Sequence, residues 1–322
     1  MVTGGTGFVG SNLVDFLLSE GWEVACPVRD TSALRHLRGT PVEVFPLDQL
    51  EARLSESTQF DFVFHLAAAT RALRLQDYRV VNVDLTGRLL DLFTPPDHNL
   101  KRFVLVSSQA AAGPCQVDGT PVLESDDPRP LSMYGRSKLE AEQLAQGYTD
   151  RVPITIVRPP TVFGPRDVDV LDVFKLARFR LAPCLAGPDR LVSIIYVEDL
   201  VRGILAAALS EKSIGETYFL ANKEPVIWKK FVLTVARVMG YEAIPLPIPL
   251  AIGKAVARLS DLKGRLTGTP ALMRTEHFEE MIQDAWVCAT QKAARDLGWQ
   301  AETPIEEAIR ATEAWYRTHE WL

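Results

Sequence analysis

Thr3-Gly4-Gly5-Thr6-Gly7-Phe8-Val9-Gly10 is the stretch of sequence that decides the fold, because its glycines recur every three residues between an apolar segment and a helical pattern over 12–19. Glycines so spaced allow a tight turn, a close approach of the backbone to a pyrophosphate, and close packing of a helix on a strand. The positive end of the helix dipole then faces the phosphates. The stretch therefore predicts a dinucleotide-binding turn rather than a glycine-rich turn without a ligand. Its predicted cofactor contacts are Gly4, Gly7, Phe8, Val9 and Gly10.

Downstream of this turn, short apolar segments alternate with helical patterns. Strands are predicted at 22–28, 42–45, 60–65, 102–107 and 154–158, and helices at 84–93 and 137–146. Strands that alternate with helices form a parallel sheet covered on both faces. We therefore predict an α/β fold in which a doubly wound parallel (Rossmann) sheet spans 1–165 and is completed by about 191–222. Residues 166–190 and 223–322 are assigned to a smaller, mostly helical, discontinuous domain that binds the substrate.

The composition of the 322 residues limits the classes of function. Acidic residues outnumber basic ones by 41 to 35, and this net charge of −6 disfavours a nucleic-acid partner, which normally meets a basic surface. The four cysteines, Cys26, Cys115, Cys184 and Cys288, form no close pair and no cluster with histidine. We expect neither a disulfide scaffold nor a metal site, and we predict a reducing, cytoplasmic location without a signal peptide.

Two segments carry further expectations. Leu246–Leu259 is apolar after a proline-rich start, and we predict a packed helix that lines the substrate cleft, the alternative being contact with a membrane or a partner. No stretch approaches the ~20 apolar residues that cross a bilayer, so no membrane partner is expected.

Only Met1 and Val2 precede the glycine turn, and strands usually run for about five residues. We therefore expect the natural chain to include residues before Met1.

The end of the second predicted strand bears on the choice between NAD and NADP. NAD-binding chains of this kind usually place an acidic residue there to bind the ribose hydroxyls. Here the strand ends in Val28-Arg29-Asp30. An arginine can stack on adenine and pair with a 2′-phosphate, and Arg35 is near enough along the chain to close the same pocket. NADP is therefore favoured, the alternative being a solvated Arg29 with Asp30 on the ribose of NAD.

The candidate reacting centre is Tyr134-Gly135-Arg136-Ser137-Lys138. Its tyrosine and lysine are separated by one helical turn and so share one face of a helix. A tyrosine with its ordinary pKa of about 10 is a poor base at neutral pH, and a nearby ammonium is expected to lower that pKa. Ser108 ends a neighbouring predicted strand, where α/β sheets bind ligands. We predict that Ser108, Tyr134 and Lys138 act together in catalysis, with Ser108 on the substrate oxygen.

Together these motifs resemble the extended short-chain dehydrogenases/reductases of the NAD-dependent epimerase/dehydratase family. The resemblance covers the whole chain, and its motifs lie at 3–10, 65–68, 82–83, 106–108, 134–138, 158–165 and 196–199. It implies that Tyr134 is the acid/base, that Lys138 orients and tunes it, and that Ser108 polarises the substrate. It further implies cofactor contacts at Asp48, Leu66, Ala67, Ala68, Asn82, Val106, Tyr134, Lys138, Pro159, Thr161 and Val162.

Two departures favour one branch of that family. Gln109-Ala110 stand where nucleotide-sugar dehydratases carry an Asp-Glu pair, and Thr161 stands where nucleotide-sugar enzymes commonly carry asparagine. With Arg29, these features resemble dihydroflavonol reductases and 3β-hydroxysteroid dehydrogenase-like proteins, whose substrates are apolar alcohols or ketones. The leading hypothesis is therefore an NAD(P)-dependent oxidoreductase that acts on a small molecule.

Several alternatives stay open at this point. A nucleotide-sugar epimerase with tightly bound NAD would use the same three residues. Its diphosphate could be bound by Arg166, Arg178, Arg180 and Arg190, although we assign most of these arginines to the surface. A dinucleotide-sensing regulator without catalysis is a third hypothesis. The family resemblance also implies a homodimer formed through helices near 84–93 and 135–147. We predict that His65 packs or hydrogen-bonds locally and that Glu198 and Asp199 cap a helix.

Overall fold

Three apolar segments, Phe62–His65, Arg102–Val106 and Ile154–Arg158, form adjacent parallel strands at the centre of the molecule. The computed structural model describes residues 1–30, 34, 36–55, 59–95, 99–115, 119–269 and 274–322. Its strands, in chain order, are β1 (Val2–Thr3), β2 (Ala25–Val28), β3 (Glu43–Pro46), β4 (Phe62–His65), β5 (Arg102–Val106), β6 (Ile154–Arg158), β7 (Thr161–Phe163), β8 (Leu181–Leu185), β9 (Leu191–Val192), β10 (Ile194–Tyr196), β11 (Thr217–Phe219), β12 (Val226–Ile227), β13 (Ile244–Ile248) and β14 (Ala285–Trp286).

The helices of the same residues begin with the one that follows the glycine turn. They are α1 (Phe8–Ser19), α2 (Leu50–Ser55), α3 (Leu75–Arg79), α4 (Leu85–Phe93), α5 (Gln109–Ala112), α6 (Met133–Gln146), α7 (Leu171–Arg178), α8 (Val197–Leu209), α9 (Trp228–Val238), α10 (Leu250–Thr267), α11 (Thr275–Met281), α12 (Gln291–Leu297) and α13 (Ile305–Thr318). Short 3₁₀ helices lie at Leu47–Gln49 and Glu211–Ser213, and a π-helical segment, Val80–Asp84, joins α3 to α4.

The central sheet has the order β1-β4-β5-β6-β11 among the described residues, and every pairing in it is parallel. A second parallel pair, β2 and β3, lies beside β1. Strand side chains alternate between two apolar clusters: Phe64 and Val104 pack with α1 and α8, whereas Val63 and Phe103 pack with α4. Helices thus cover both faces of the sheet, and the predicted doubly wound α/β fold is confirmed.

A separate apolar cluster holds much of the C-terminal part together. It joins α7, α9 and α13 to β7 and β10, with the buried Phe174, Phe231 and Tyr316 among its members. β11 and α8 belong to the sheet domain, since β11 pairs with β6 and α8 packs on α1. These contacts agree with a sheet domain of 1–165 and about 191–222, although that division stays a prediction.

The segment around Leu246–Leu259 differs from its prediction. Its proline-rich start lies in Ile244–Ile248, which forms β13 and pairs in parallel with β8. The following helix, α10, was expected to be packed, but the large apolar side chains of its outer face, including Leu259 and Leu262, are exposed. Its small residues Ala257 and Gly264 take the buried positions instead. None of the described helices combines the length and the apolar character needed to cross a membrane.

Candidate active site

The glycine turn joins β1 to α1 at the carboxyl edge of the sheet. Gly4 has a φ of +73°, and a Cβ added there would lie 2.7 Å from the Ala67 nitrogen. A Cβ on Gly10 would lie 2.1 Å from the Gly4 carbonyl oxygen, so only glycine lets α1 approach the turn this closely. Within this fully described turn, no side chain caps α1 and its first turn carries no acidic residue. The start of α1 therefore fits a pyrophosphate group of a dinucleotide.

A buried hydrogen-bond chain fixes the loop that follows β4, where Leu66, Ala67 and Ala68 lie. The Thr3 hydroxyl accepts from the Ala67 nitrogen at 3.2 Å and lies 2.7 Å from His65 Nδ1, while His65 Nε2 lies 2.9 Å from the Thr86 hydroxyl. Burial lowers the pKa of His65 to about 3, so the ring is neutral at physiological pH. The predicted local role of His65 is confirmed.

Asn82 is buried in the π-helical segment and is fully engaged with protein atoms. Its Oδ1 accepts from the Ala69 nitrogen at 2.7 Å, and its Nδ2 donates to the Ala69 carbonyl at 3.1 Å and to the Ser137 hydroxyl at 2.8 Å. Both amide hydrogens are therefore used. Asn82 acts as a positioning residue that ties the loop after β4 to α6, and its predicted direct cofactor contact stays a prediction.

The candidate adenosine end of the site lies where β2 and β3 finish. Arg29 and Asp30 follow β2 directly, Asp48 lies in the 3₁₀ helix after β3, and all three are exposed. Because β2 and β3 are parallel, their carboxyl ends share one edge of the sheet with the glycine turn. Arg35, the other predicted contact at this end, lies outside the described residues.

The structure brings Ser108, Tyr134 and Lys138 together. Ser108 caps α5 just after β5, accepting from the Ala110 nitrogen at 3.2 Å. Tyr134 and Lys138 lie one turn apart on α6, and the Tyr134 hydroxyl is hydrogen-bonded to Ser108. The Lys138 ammonium donates to the Val106 carbonyl at 2.7 Å, at the end of the same strand that leads to Ser108. The serine and the phenol thus adjoin each other at the carboxyl edge of the sheet, and the ammonium lies on the carbonyl at the end of β5.

The pKa of Tyr134 differs from its prediction. Burial raises it to about 12, and the Ser108 hydrogen bond opposes this shift only in part. The expected lowering by Lys138 is not found, because the lysine ammonium is turned to the Val106 carbonyl. In this structure Tyr134 is therefore protonated at neutral pH.

Lys138 is itself tuned by its surroundings. Burial lowers its pKa to about 8, and the charge of Glu142, one turn further along α6, opposes that shift. Glu142 is buried and paired with Arg158, whose Nη2 lies 2.6 Å from Glu142 Oε2 and whose Nε lies 3.0 Å from Oε1. This pair fixes α6 against the end of β6, so Arg158 serves structure rather than substrate binding.

The predicted nicotinamide side of the site lies beside Ser108. The Pro159 carbonyl accepts from the Gln109 nitrogen at 2.8 Å, which holds the end of β6 against the start of α5. Thr161 and Val162 follow in β7, with Thr161 exposed. Two polar atoms near this point, Ser107 Oγ and Gln109 Nε2, are buried without a partner among the described residues. Buried groups of this kind are normally satisfied, so they fit a bound polar group.

Helix α11 contributes two carboxylates to the site that the sequence analysis missed. Glu276 Oε2 accepts from the Met133 nitrogen at 2.9 Å, at the start of α6. The charge of Glu280 acts on Tyr134 and raises its pKa, and Glu280 Oε1 is buried without a partner among the described residues. Tyr78 also adjoins the tyrosine, with 6.2 Å between the ring centroids. Because α11 lies more than 130 residues from Tyr134 in sequence, no local motif points to it.

The four arginines considered for a diphosphate do not form one cluster. Arg166 pairs with Asp15 of α1, and Arg190 donates to the Leu185 and Pro188 carbonyls. Arg178 and Arg180 are exposed. Among the residues that the structure describes, no group of His, Cys, Asp or Glu side chains is arranged to hold a metal ion, and the absence of a metal site stays a prediction.

Glu198 and Asp199 lie in the first turn of α8, as predicted for helix-capping carboxylates. Asp199 accepts from the Thr303 nitrogen at 3.1 Å and from its hydroxyl at 3.0 Å. The pair therefore anchors the start of α8 to the segment that precedes α13. These contacts lie away from Tyr134 and support a structural role.

The fold and the grouped site define a dinucleotide-dependent enzyme of the short-chain dehydrogenase/reductase type. The chain belongs to the NAD dependent epimerase/dehydratase family, whose model matches residues 1–221. It is 28% identical to a 4-hydroxy-2-methyl-3-oxo-4-farnesyl-3,4-dihydroquinoline-1-oxide ketoreductase of Stigmatella aurantiaca, over 96% of this chain and 94% of the relative. It is also 28% identical to a putative dihydroflavonol 4-reductase of a Synechocystis species, over 100% and 95% of the two chains.

Solved structures confirm the fold. A UDP-glucose 4-epimerase from Thermotoga maritima, solved with UDP-glucose, superposes with a TM-score of 0.80 at 20% identity and covers 99% of this chain and 98% of its own. The predicted fold and family are therefore confirmed. The relatives include reductases as well as a UDP-glucose 4-epimerase of Vibrio cholerae that is 26% identical over 97% of this chain, so an oxidoreductase and an epimerase both fit the chain. The roles of the individual site residues stay predictions.

Proposed function

We propose that this protein is an NADP-linked reductase of an apolar ketone, with Ser108, Tyr134 and Lys138 as its catalytic residues. The observation that carries this proposal is that the Tyr134 phenol is hydrogen-bonded to Ser108, with Lys138 one turn further along α6 and its ammonium on the Val106 carbonyl at the end of β5. The similarity to a relative named as a ketoreductase of a farnesyl-bearing compound supports an apolar substrate.

Each residue has a stated task in this proposal. When bound at the glycine turn, NADPH would supply the hydride that the substrate carbonyl carbon receives. Ser108 holds the carbonyl oxygen, and Tyr134, protonated because its pKa is about 12, donates the proton that this oxygen requires. Lys138 would bind the cofactor ribose from its position at the end of β5. The products are the alcohol and the oxidised cofactor.

The proposal is tested by steady-state assays of the purified protein with a panel of hydrophobic ketones, following NADPH absorbance. We expect turnover with at least one apolar ketone and none with a polar UDP-sugar. Conversion of UDP-glucose to its 4-epimer without net cofactor consumption would replace the reductase with the epimerase. The pairing of Arg166 with Asp15 and of Arg190 with two backbone carbonyls agrees with the surface role assigned to these arginines and so favours the reductase.

The preference for NADP rests on Arg29, which is exposed at the end of β2 where a 2′-phosphate would meet it. We expect NADPH to bind at least tenfold more tightly than NADH, about 1.4 kcal/mol. Arg29→Gln should remove this preference and leave NADH affinity unchanged. Fluorescence titration of both cofactors measures this, and equal wild-type affinities would contradict the NADP assignment.

The proposal includes a location and an oligomeric state. A cytoplasmic location is supported by four free cysteines. For a homodimer through α4 and α6, support comes from the exposed Val80, the first residue of the π-helical segment that leads into α4. Its neighbour Arg79, at the end of α3, pairs with Glu140 of α6. A small-molecule substrate and no nucleic-acid partner complete the proposal.

A further inference from the structure

Helix α10 turns its largest apolar side chains away from the protein. Ile252, Val256, Leu259, Leu262 and Leu266 are all exposed, Leu259 by 66% and Leu266 by 80%. At 100° per residue they fall on an arc of about 120°, which forms one continuous stripe along the helix. We call these five residues the outer stripe. A helix on the surface of a soluble domain normally presents such a stripe to the core.

Close contacts on the opposite side fix this orientation. A Cβ on Gly253 would lie 2.4 Å from Phe278 Cε2, so the absence of a side chain lets α10 lie directly on α11. Asp261 of α10 pairs with Arg274, 3.0 Å from its Nε, and accepts from the Thr275 nitrogen at 3.2 Å. The small residues pack and the large ones point outward, so the helix cannot rotate its outer stripe inward without losing these contacts.

A row of positive charge runs beside the outer stripe. Lys254, Arg258 and Arg265 lie within an arc of about 40° at its edge, and all three are exposed. The acidic residue of this helix, Asp261, is taken up by Arg274. This local surface is therefore basic although the chain as a whole carries a net charge of −6.

Helix α10 is linked to the candidate active site through α11. α10 packs on α11, and α11 reaches α6 through Glu276 and acts on Tyr134 through Glu280. The strand that leads into α10 also exposes apolar side chains, Ile244 by 71% and Leu246 by 47%. Apolar side chains are thus exposed both on α10 and on the strand that precedes it.

We propose that the outer stripe and its basic row dock this protein on the surface of an anionic phospholipid bilayer. The apolar side chains would enter the boundary between headgroups and acyl chains, and Lys254, Arg258 and Arg265 would meet the anionic headgroups. Helices that lie in a membrane interface combine these same two features. The expectation of no membrane partner is thereby replaced by peripheral docking. This proposal does not depend on which reaction the site performs.

The test is sedimentation of the full chain with phosphatidylcholine vesicles, with and without phosphatidylglycerol. The wild type should bind the vesicles that contain phosphatidylglycerol. The double variant Leu259→Glu/Leu262→Glu and the triple variant Lys254→Gln/Arg258→Gln/Arg265→Gln should each lower the partition coefficient by about tenfold or more. NADPH affinity should stay unchanged in both, which shows that the variants are folded.

Matched controls place the same changes elsewhere. Leu123→Glu/Leu209→Glu alters two exposed leucines, and Lys223→Gln/Lys230→Gln/Arg310→Gln removes three exposed charges. Both controls should bind vesicles like the wild type. Wild-type binding no better than that of the outer-stripe variants would overturn the proposal. So would light scattering in which Leu259→Glu/Leu262→Glu dissociates a dimer and leaves vesicle binding unchanged, since a second copy would then cover the stripe.

Discussion

At the scale of single residues, the site is governed by what burial does to its charges. Burial moves the pKa of Tyr134 up and that of Lys138 down, so each group is pushed towards its uncharged form. A protonated phenol next to a serine hydroxyl suits a proton donor. Single substitutions can separate the tasks of Tyr134, Glu280 and Lys138.

Tyr134→Phe removes the proton donor and leaves the aromatic ring. We expect kcat for ketone reduction to fall by about 10²–10⁴-fold, the usual contribution of a positioned acid. NADPH affinity, measured by fluorescence, should change little. A variant that retains most of its turnover would show that another group supplies the proton and would revive the regulator hypothesis.

Glu280→Gln removes a charge that raises the pKa of Tyr134. The phenolate is the form that alcohol oxidation requires, so the rise of the oxidation rate with pH should move to lower pH in this variant. The neighbouring, exposed Glu279→Gln is the matched control and should leave the profile in place. Identical pH profiles for the wild type, Glu280→Gln and Glu279→Gln would show that Glu280 does not act on Tyr134.

Lys138 gives a pH dependence whose sign can be worked out. Its pKa is lowered to about 8, so the ammonium is present below that pH and lost above it. If Lys138 holds the cofactor ribose, NADPH affinity should weaken as pH rises through about 8. Fluorescence titrations should show this trend in the wild type and a flat profile in Lys138→Met. A flat profile in the wild type would place Lys138 outside the cofactor site.

At the scale of elements, the glycine turn is the part of the site that the sequence predicts best. The approach of Gly10 to Gly4 is a contact within the turn itself, so their spacing can be recognised from the sequence. Gly10→Ala would place a Cβ 2.1 Å from the Gly4 carbonyl oxygen and push α1 away from the turn. We expect this variant to lose at least tenfold in NADPH affinity, because the N–H groups of α1 are displaced.

Gly147→Ala is the control for that change. Gly147 ends α6 with an ordinary φ of −67°, so alanine fits its backbone conformation. Its NADPH affinity should match that of the wild type by fluorescence titration. Equal affinity of Gly10→Ala and Gly147→Ala would mean that the turn does not bind the pyrophosphate.

Helix α10 shows why the prediction of a packed helix was wrong. A stripe of leucines at helical spacing indicates amphipathic character but not which side the protein covers. Which side of α10 is covered depends on Gly253, Ala257 and Gly264. Their small size leaves space for Phe278 and its neighbours on α11. Glu276 and Glu280 were missed for the same reason, since only the tertiary fold brings α11 to α6.

At the scale of the whole molecule, the sequence predicted the sheet domain well because each strand and helix has its own apolar period. In a parallel sheet the segments that follow the strands all lie at the same edge. The sequence could therefore predict that Ser108, Tyr134 and Lys138 lie near one another. The C-terminal part was less predictable, because its short strands β12, β13 and β14 pair with distant segments.

The proposed dimer is tested at this scale. Light scattering should give twice the mass of one chain, and Val80→Glu should reduce it to one by charging the exposed surface near α6. Leu123→Glu alters an exposed apolar residue elsewhere and should leave the dimer intact. A wild-type monomer would contradict the proposed α4/α6 interface.

The Glu276 carboxylate accepts a hydrogen bond from the first backbone nitrogen of α6 and so connects α11 to the helix that carries Tyr134. The helix that carries Tyr134 grows out of the sheet domain, yet its first turn is held by a side chain from the far end of the chain. Because Tyr134 lies in the turn that Glu276 holds, a displacement of α11 would shift the phenol without altering any reacting atom.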